Sequence, residues 1–132
     1  MPIDPSRSDL MSRVRQRDTG PELVVRSVAH ALGYRFRVHR KDLPGRPDIV
    51  FPSRRKVVLV HGCFWHRHCG CPKSTTPKTR RGFWQRKFTE NKRRDLRNIR
   101  HLRRMGWGVL VVWECETPNR LRLARVLRRY LR

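Results

Sequence analysis

Acid is what this sequence has least of: ten Asp and Glu stand against thirty-three Lys and Arg in 132 residues, a formal net charge of +23. Solubility asks for far less, and a surface this basic calls for a polyanion, of which nucleic acid is the usual one. Long apolar runs are missing too, so no segment reads as inserted in or anchored to a membrane. Residues 1–17 are polar and lack the apolar stretch of a secretory leader. Cysteine is sparse, with four residues, and in a cytoplasmic chain that count points to metal before disulfides. No repeat, low-complexity tract or linker interrupts the chain. Residues 1–17 read as a flexible basic arm, and 18–132 as a single domain just large enough to bury a core.

Periodicity gives the element order. Thr19-Gly20-Pro21-Glu22 opens a helix, with Thr19 as cap and Glu22 three residues on, as a capping box requires. Val24, Val28, Ala31 and Leu32 mark its apolar face before Gly33 ends it. Tyr34 to Val38 alternates apolar and basic residues, as a half-buried strand does. The prolines of Leu43-Pro44-Gly45-Arg46-Pro47 make a turn and keep it out of any central strand. Asp48–Phe51 is a second strand and Lys56–His61 a third. Residues 62–82 form an irregular stretch too long to be structureless unless something pins it. A long helix follows over Phe83–Arg104, stopped by Gly106. Trp107–Trp113 is apolar on both faces and reads as a central strand. Asn119 caps a last helix carrying Leu121, Leu123, Val126, Leu127 and Leu131. The order α-β-β-β-α-β-α predicts an α/β fold, a mixed sheet flanked by helices.

The densest chemistry lies between Val57 and Cys71. A β-branched run stops at His61-Gly62, and Cys63, His68 and Cys71 follow at spacings of four and two, with Cys115 just beyond the fourth strand. Three thiolates and an imidazole make the closed tetrahedral set that structural zinc prefers. Such a site would pin the 62–82 stretch, so that metal binding becomes folding energy. Cys69 could replace Cys71, although Gly70 relaxes the backbone in favour of Cys71. A deaminase-type catalytic zinc does not fit, because no Glu follows the histidine in the H-x-E pattern.

With acids so scarce, each one near the core needs a reason. Asp48 stands at a strand start, where a carboxylate either caps a turn or binds a hard cation. Pairing of its strand with Val57–Val60 brings it near the Val60 carbonyl, His61 and His66. Asp95 falls on the inward face of the long helix with Phe88, Ile99 and Leu102, and needs a partner, either a core Arg or a catalytic His. The capping box alone accounts for Glu22. Beside a sheet-end aspartate, His61 or His66 suits a general base.

Phe64 and Trp65 share a short glycine-flanked loop, and Trp84 begins the long helix close by. They form either a small hydrophobic core around the metal or a wedge inserted between base pairs, which costs least where pairing is already defective. Arg80-Arg81, Arg86-Lys87 and Lys92-Arg93-Arg94 suit phosphates and read no sequence.

Taken together, Arg17-Asp18-Thr19, Leu43-Pro44-Gly45-Arg46-Pro47-Asp48, His61-Gly62-Cys63-Phe64-Trp65-His66, Gly106-Trp107 and Val112-Trp113-Glu114-Cys115 resemble the very-short-patch repair endonucleases, which nick DNA beside T:G mismatches. The resemblance spans nearly the whole chain. It implies a restriction-endonuclease-like core and a monomer working on mismatched duplex DNA in the cytoplasm, on the nucleoid, in the company of mismatch-repair proteins. It further implies catalytic Mg²⁺ on Asp48 and the Val60 backbone carbonyl, with His66 activating water and Glu22, His61 and Asp95 in support. Structural Zn²⁺ on Cys63, His68, Cys71 and Cys115 also follows, as do intercalation by Phe64, Trp65 and Trp84 and an arm around Met11 in the other groove. The acidic-x-Lys half of the usual nuclease signature is absent, with Val58-Leu59-Val60-His61 in its place, a substitution the repair family shares. Two other readings compete: a nuclease of the same fold with different sequence or structure specificity, and a non-catalytic zinc module that binds nucleic acid.

Overall fold

The computed structural model describes residues 19–63, 66, 68 and 79–132. Helix α1 spans Gly20–Ala31. The Thr19 hydroxyl accepts the Glu22 N–H at 3.4 Å, and Pro21 in the first turn spends no N–H that the helix needs. Leu32 ends α1 and Gly33, at φ +90°, turns the chain back.

The segment Tyr34–Val38 keeps its alternation, with Tyr34, Phe36 and Val38 half-buried and Arg35 and Arg37 exposed. It does not become the expected strand. Arg37 and Val50 exchange both backbone hydrogen bonds, at 2.8 and 2.9 Å, and the pairing stops there. His39 turns away at φ +58°, and the neighbouring strand β1 is only Ile49–Phe51, held short by Pro47 before it and Pro52 behind it. Among the described residues the order is therefore α-β-β-α-β-α.

A 3₁₀ turn over Pro52–Arg54 leads into β2, Lys56–His61. Strand β1 pairs antiparallel with β2, Ile49 opposite Val58. Helix α2, Arg81–Arg104, crosses over to β3, Gly108–Trp113, which runs parallel to β2 with Lys56 opposite Gly108 and His61 opposite Trp113. The mixed sheet has the order β1-β2-β3, so β2 is central and β3 lies at the edge of the described sheet. The central place expected of Trp107–Trp113 is thus corrected. Its two apolar faces reflect helices above and below, not strands on both sides.

Strand alternation sorts the core into two layers. Ile49, Phe51, Val58 and Val112 meet Val25, Val28 and Ala29 of α1 and Leu123, Leu127 and Leu131 of α3, Arg120–Leu131. On the other face Val50 and Val57 meet Leu102 of α2, Trp107 and Leu43. Each such aliphatic side chain, fully buried, contributes about 1.5–3 kcal/mol. The turn at Leu43–Pro47 is seated against α2. A Cβ on Gly45, at φ +73°, would lie 2.9 Å from Asn98 Cβ, so glycine is required there both for backbone and for room.

The start of β2 is fastened to α3. Lys56 Nζ donates to the Tyr130 carbonyl at 2.5 Å, and the Tyr130 hydroxyl donates to the Val57 carbonyl at 2.9 Å. Burial pushes the Tyr130 phenol up to about 12, against the opposing pull of its Val57 bond and of Arg103. An unfolded tyrosine titrates near 10 (about 10 in model peptides), so between those values the fold holds more protons than the unfolded chain. This stabilisation is complete below pH 10 and is lost as pH rises toward 12. Tyr130→Phe is expected to cost about 1 kcal/mol near neutrality and to abolish that alkaline loss. Urea denaturation of both proteins at neutral and strongly alkaline pH checks it; parallel pH curves would refute the assignment.

Candidate active site and metal centre

The functional side chains gather where β2 and β3 end. Strand β1 begins too late to pair with Val60, and Asp48 supplies the missing acceptor: its Oδ2 takes the Val60 N–H at 2.6 Å. Glu22, 3 % exposed, reaches in from the first turn of α1 and hydrogen-bonds Asp48, while its Oε2 lies 3.4 Å from Arg26. The capping geometry expected at Thr19 is present, yet this carboxylate also has neighbours of its own. Burial pushes the Asp48 carboxyl up to about 7, reinforced by Glu22 and opposed by the Val60 N–H and by Arg26. Two acids buried together in so basic a chain are a donor set for a hard divalent cation, whose charge would offset both.

One residue past Val60, the His61 ring stacks on His66, centroids 3.9 Å apart and planes at 8°. His66 is carried by a turn in which its N–H donates to the Gly62 carbonyl at 3.1 Å. Its Nδ1 lies 2.5 Å from Asp95 Oδ2 on α2. An ionised carboxylate only accepts, so Nδ1 carries the hydrogen, and in the neutral ring that tautomer leaves the lone pair on Nε2. Asp95 thus pairs with the imidazole and not with a core Arg. Burial pushes His61 down to about 4, with His66 adding to the shift and Asp95 opposing it. His61 is therefore a neutral ring at neutral pH. His61, His66 and Asp95 all lie within reach of a common point, but stacked parallel rings aim their lone pairs alongside each other instead of at one ion. Hydrogen bonding, not coordination, is what this trio is arranged for.

A second cluster lies behind the first. His68 Nδ1 is 3.7 Å from Cys63 Sγ and 3.4 Å from Cys115 Sγ, and the three ligand atoms lie within 4.8 Å of one another. The parallel register explains this. Cys63 and Cys115 each follow by two residues the paired positions His61 and Trp113, so the thiols arrive side by side. Glu114 Oε1 accepts the Cys63 N–H at 3.1 Å, tying the two strand exits together, and Glu116 Oε1 accepts the Trp113 N–H at 2.8 Å. Two sulfurs and an imidazole suit a soft, tetrahedrally bound ion. The expected fourth ligand, Cys71, and its alternative, Cys69, lie outside the described residues.

Sequence reading missed Trp113. Its indole stacks on His68 at 4.2 Å and 8°, and meets His61 edge-on at 5.3 Å, so one ring is the shared wall of both clusters. No local pattern carried the signal, because the role depends on Trp113 pairing opposite His61 across β2 and β3.

Trp84 is 2 % exposed and packed against Phe83 and Phe88. Its i, i+4 spacing with Phe88 puts both rings on the inward stripe of α2. Phe64, Trp65 and Met11 lie outside the described residues. Arg80, Arg81, Arg86, Lys87, Lys92, Arg93 and Arg94 are all exposed along the first half of α2 or just before it.

Comparison with known proteins fits this geometry. The profile of the family described as "DNA mismatch endonuclease Vsr" matches residues 3–72. "Type II nicking enzyme V.XorIIP" of Xanthomonas oryzae is 55% identical over 113 residues, covering 86% of this chain and 82% of that protein. "Type II nicking enzyme V.NmeAIP" of Neisseria meningitidis is 41% identical, over 92% of this chain and 89% of its own. "DNA mismatch endonuclease Vsr" of Escherichia coli is 43% identical, over 89% and 75%.

Glu114→Ala removes a charged acceptor from the Cys63 N–H and is expected to cost about 1.5–3 kcal/mol. Glu114→Gln, which keeps an acceptor oxygen, should lose less than half of that. Thermal midpoints of the two variants decide; equal losses would mean the carboxylate acts by something other than this bond.

Proposed function

The chain belongs to the DNA mismatch endonuclease Vsr family, and from that premise we propose that it is a Mg²⁺-dependent, strand-specific enzyme that hydrolyses the phosphodiester 5′ to the mismatched thymine of a T:G pair, in very-short-patch repair. The observation that carries this reading is the unbroken series of contacts from Glu22 to Asp48, to the Val60 amide, and through His61 and His66 to Asp95. A cation-binding acid and an oriented imidazole stand at one end of one sheet.

Asp48 would hold the cation together with the Val60 carbonyl, which leaves the strand on the same edge as the Val60 N–H that Asp48 accepts. Glu22 would support Asp48 from behind. Bound there, Mg²⁺ supplies positive charge at the phosphate and the departing oxygen. His66 takes the proton of the attacking water at Nε2, and the new P–O bond forms as the bond to the leaving oxygen breaks. Asp95 fixes the tautomer and ring plane for that transfer. Neutral His61 packs against the ring without adding a like charge. The thiol cluster, with Cys63, His68, Cys71 and Cys115, would hold Zn²⁺ as a structural ion. Phe64 and Trp65 would open the base step at the mismatch, the residues around Met11 would enter the other groove, and the basic face of α2 would hold phosphates. A monomer suits an asymmetric lesion, and the cytoplasm is where nucleoid DNA is met. No described helix is long and apolar enough to cross a membrane.

One alternative specificity has an observation behind it: two relatives carry the name nicking enzyme without mention of a mismatch. End-labelled duplexes separate the readings. With Mg²⁺, a T:G duplex should be nicked on the thymine strand and its C:G counterpart left whole; equal nicking of both would favour the alternative. Asp48→Ala should abolish nicking while duplex binding persists, and surviving cleavage would end the assignment. His66→Ala should lower the rate by about 10²–10⁴-fold. Chelation of zinc should lower the thermal midpoint, and zinc added back should restore it in the native protein but not in Cys63→Ser.

A further inference from the structure

Helix α3 has a face that the cleavage site does not use. Arg122, Arg125, Arg128, Arg129 and Arg132 are all exposed and, at 3.6 residues per turn, fall within about a third of the helix circumference. Leu121, 77 % exposed, lies on the same strip. The opposite side of α3 is spent on the core through Leu123, Leu127 and Leu131.

The strip is electrostatically unfavourable for the helix that bears it. Arg122/Arg125, Arg125/Arg128, Arg125/Arg129, Arg128/Arg132 and Arg129/Arg132 are like-charge pairs three or four residues apart, each of which destabilises the helix. The first turn of α3 contains no acid, and Arg122 there opposes the helix dipole. No acidic residue occurs from Thr117 to the last residue. The acids just before it, Glu114 and Glu116, are turned to the backbone of Cys63 and Trp113. Among the described residues these five side chains form no ion pair. A merely solvated face would mix signs. This one carries a single sign, the pattern that suits a run of phosphates.

Arg122, at the near end, lines the same hollow as His68, Trp113 and Cys115, but the duplex being cut is badly placed to supply phosphates to the rest of the strip. Arg128 and Arg129 flank Tyr130, whose hydroxyl is bonded to Val57 near the start of β2, four residues or about 13 Å from His61. Helix α3 also packs on the sheet face shared with α1, whereas Asp95 and His66 belong to the face covered by α2. We propose that the arginine face of α3 is a second, sequence-independent duplex-binding surface, which holds the phosphate backbone of a DNA segment other than the one being cut. The inference rests on the family's action on DNA and not on the T:G specificity proposed above.

The binding test uses the native protein in magnesium-free buffer with short, fully matched duplexes, so it does not depend on which lesion is cleaved; nicking is read separately, with magnesium, on whichever short duplex the native protein cuts. Sedimentation should show two duplexes bound per chain at low salt. Arg125→Gln/Arg128→Gln/Arg129→Gln should leave the first and weaken the second at least tenfold. The log–log salt slope of the second event should fall by about 3, close to 0.9 per lost phosphate contact. Arg→Lys at the same three positions should restore it. Nicking of the short duplex that the native protein cuts should stay within twofold of native. The thermal midpoint should hold or rise as repulsion is removed, and the retained first duplex reports an intact fold. One duplex per chain in the native protein, an unchanged second event in the triple variant, or an equal loss of nicking on the short duplex would each overturn the proposal.

Discussion

Because β2 and β3 run parallel with His61 opposite Trp113, whatever follows one strand lies beside whatever follows the other. Most of the site descends from that constraint. It brings Cys63 next to Cys115, lets Glu114 reach across to the Cys63 amide, and makes Trp113 a wall for the histidines on both sides. A one-residue slip would send each strand's inward side chains to the opposite face and part both clusters at once. The hydrophobic pattern that fixes the register, with Val58 and Val112 to one face and Val57 to the other, is thus also what assembles the chemistry.

The electrostatics concentrate an exception at one point. A chain with a surplus of twenty-three positive charges keeps Glu22 and Asp48 buried in contact, where burial and mutual repulsion hold Asp48 well away from its ordinary ionisation. Arg26 and the Val60 N–H relieve it in part. Perturbed acids of this kind cluster where a protein does work, because a purely structural site would discard them. The surrounding arginines suit a polyanion, and in the proposed reading the acid pair is where a cation would meet one of its phosphates.

Much of this was legible before any coordinates. Strong periodicity gave α1, β2, α2 and α3 nearly residue for residue, and Thr19 and Asn119 cap where their side chains said they would. The inward placement of Asp95 followed from its spacing with Phe88. Tyr34–Val38 was misread because alternation reports which side chains face inward and says nothing of whether a partner strand is long enough to pair with. Trp107–Trp113 was placed centrally because helices cover a strand's two faces as well as a deep sheet position does. The roles of Trp113 and Glu114 were invisible for a different reason. They depend on a pairing between strands some fifty residues apart, which no local pattern encodes.

The seat of the Leu43–Pro47 turn on α2 has a last consequence. Gly45 lies against Asn98, one helical turn beyond Asp95, and Asp48 follows Gly45 by three residues. The two acids, remote in sequence and borne by different elements, are therefore referenced to the same stretch of helix surface and act as two pins on one jig. A shift of α2 along its axis would press Asn98 on the turn at Gly45 and tend to carry Asp48 with it, so the spacing of the two acids would change less than if each were anchored separately.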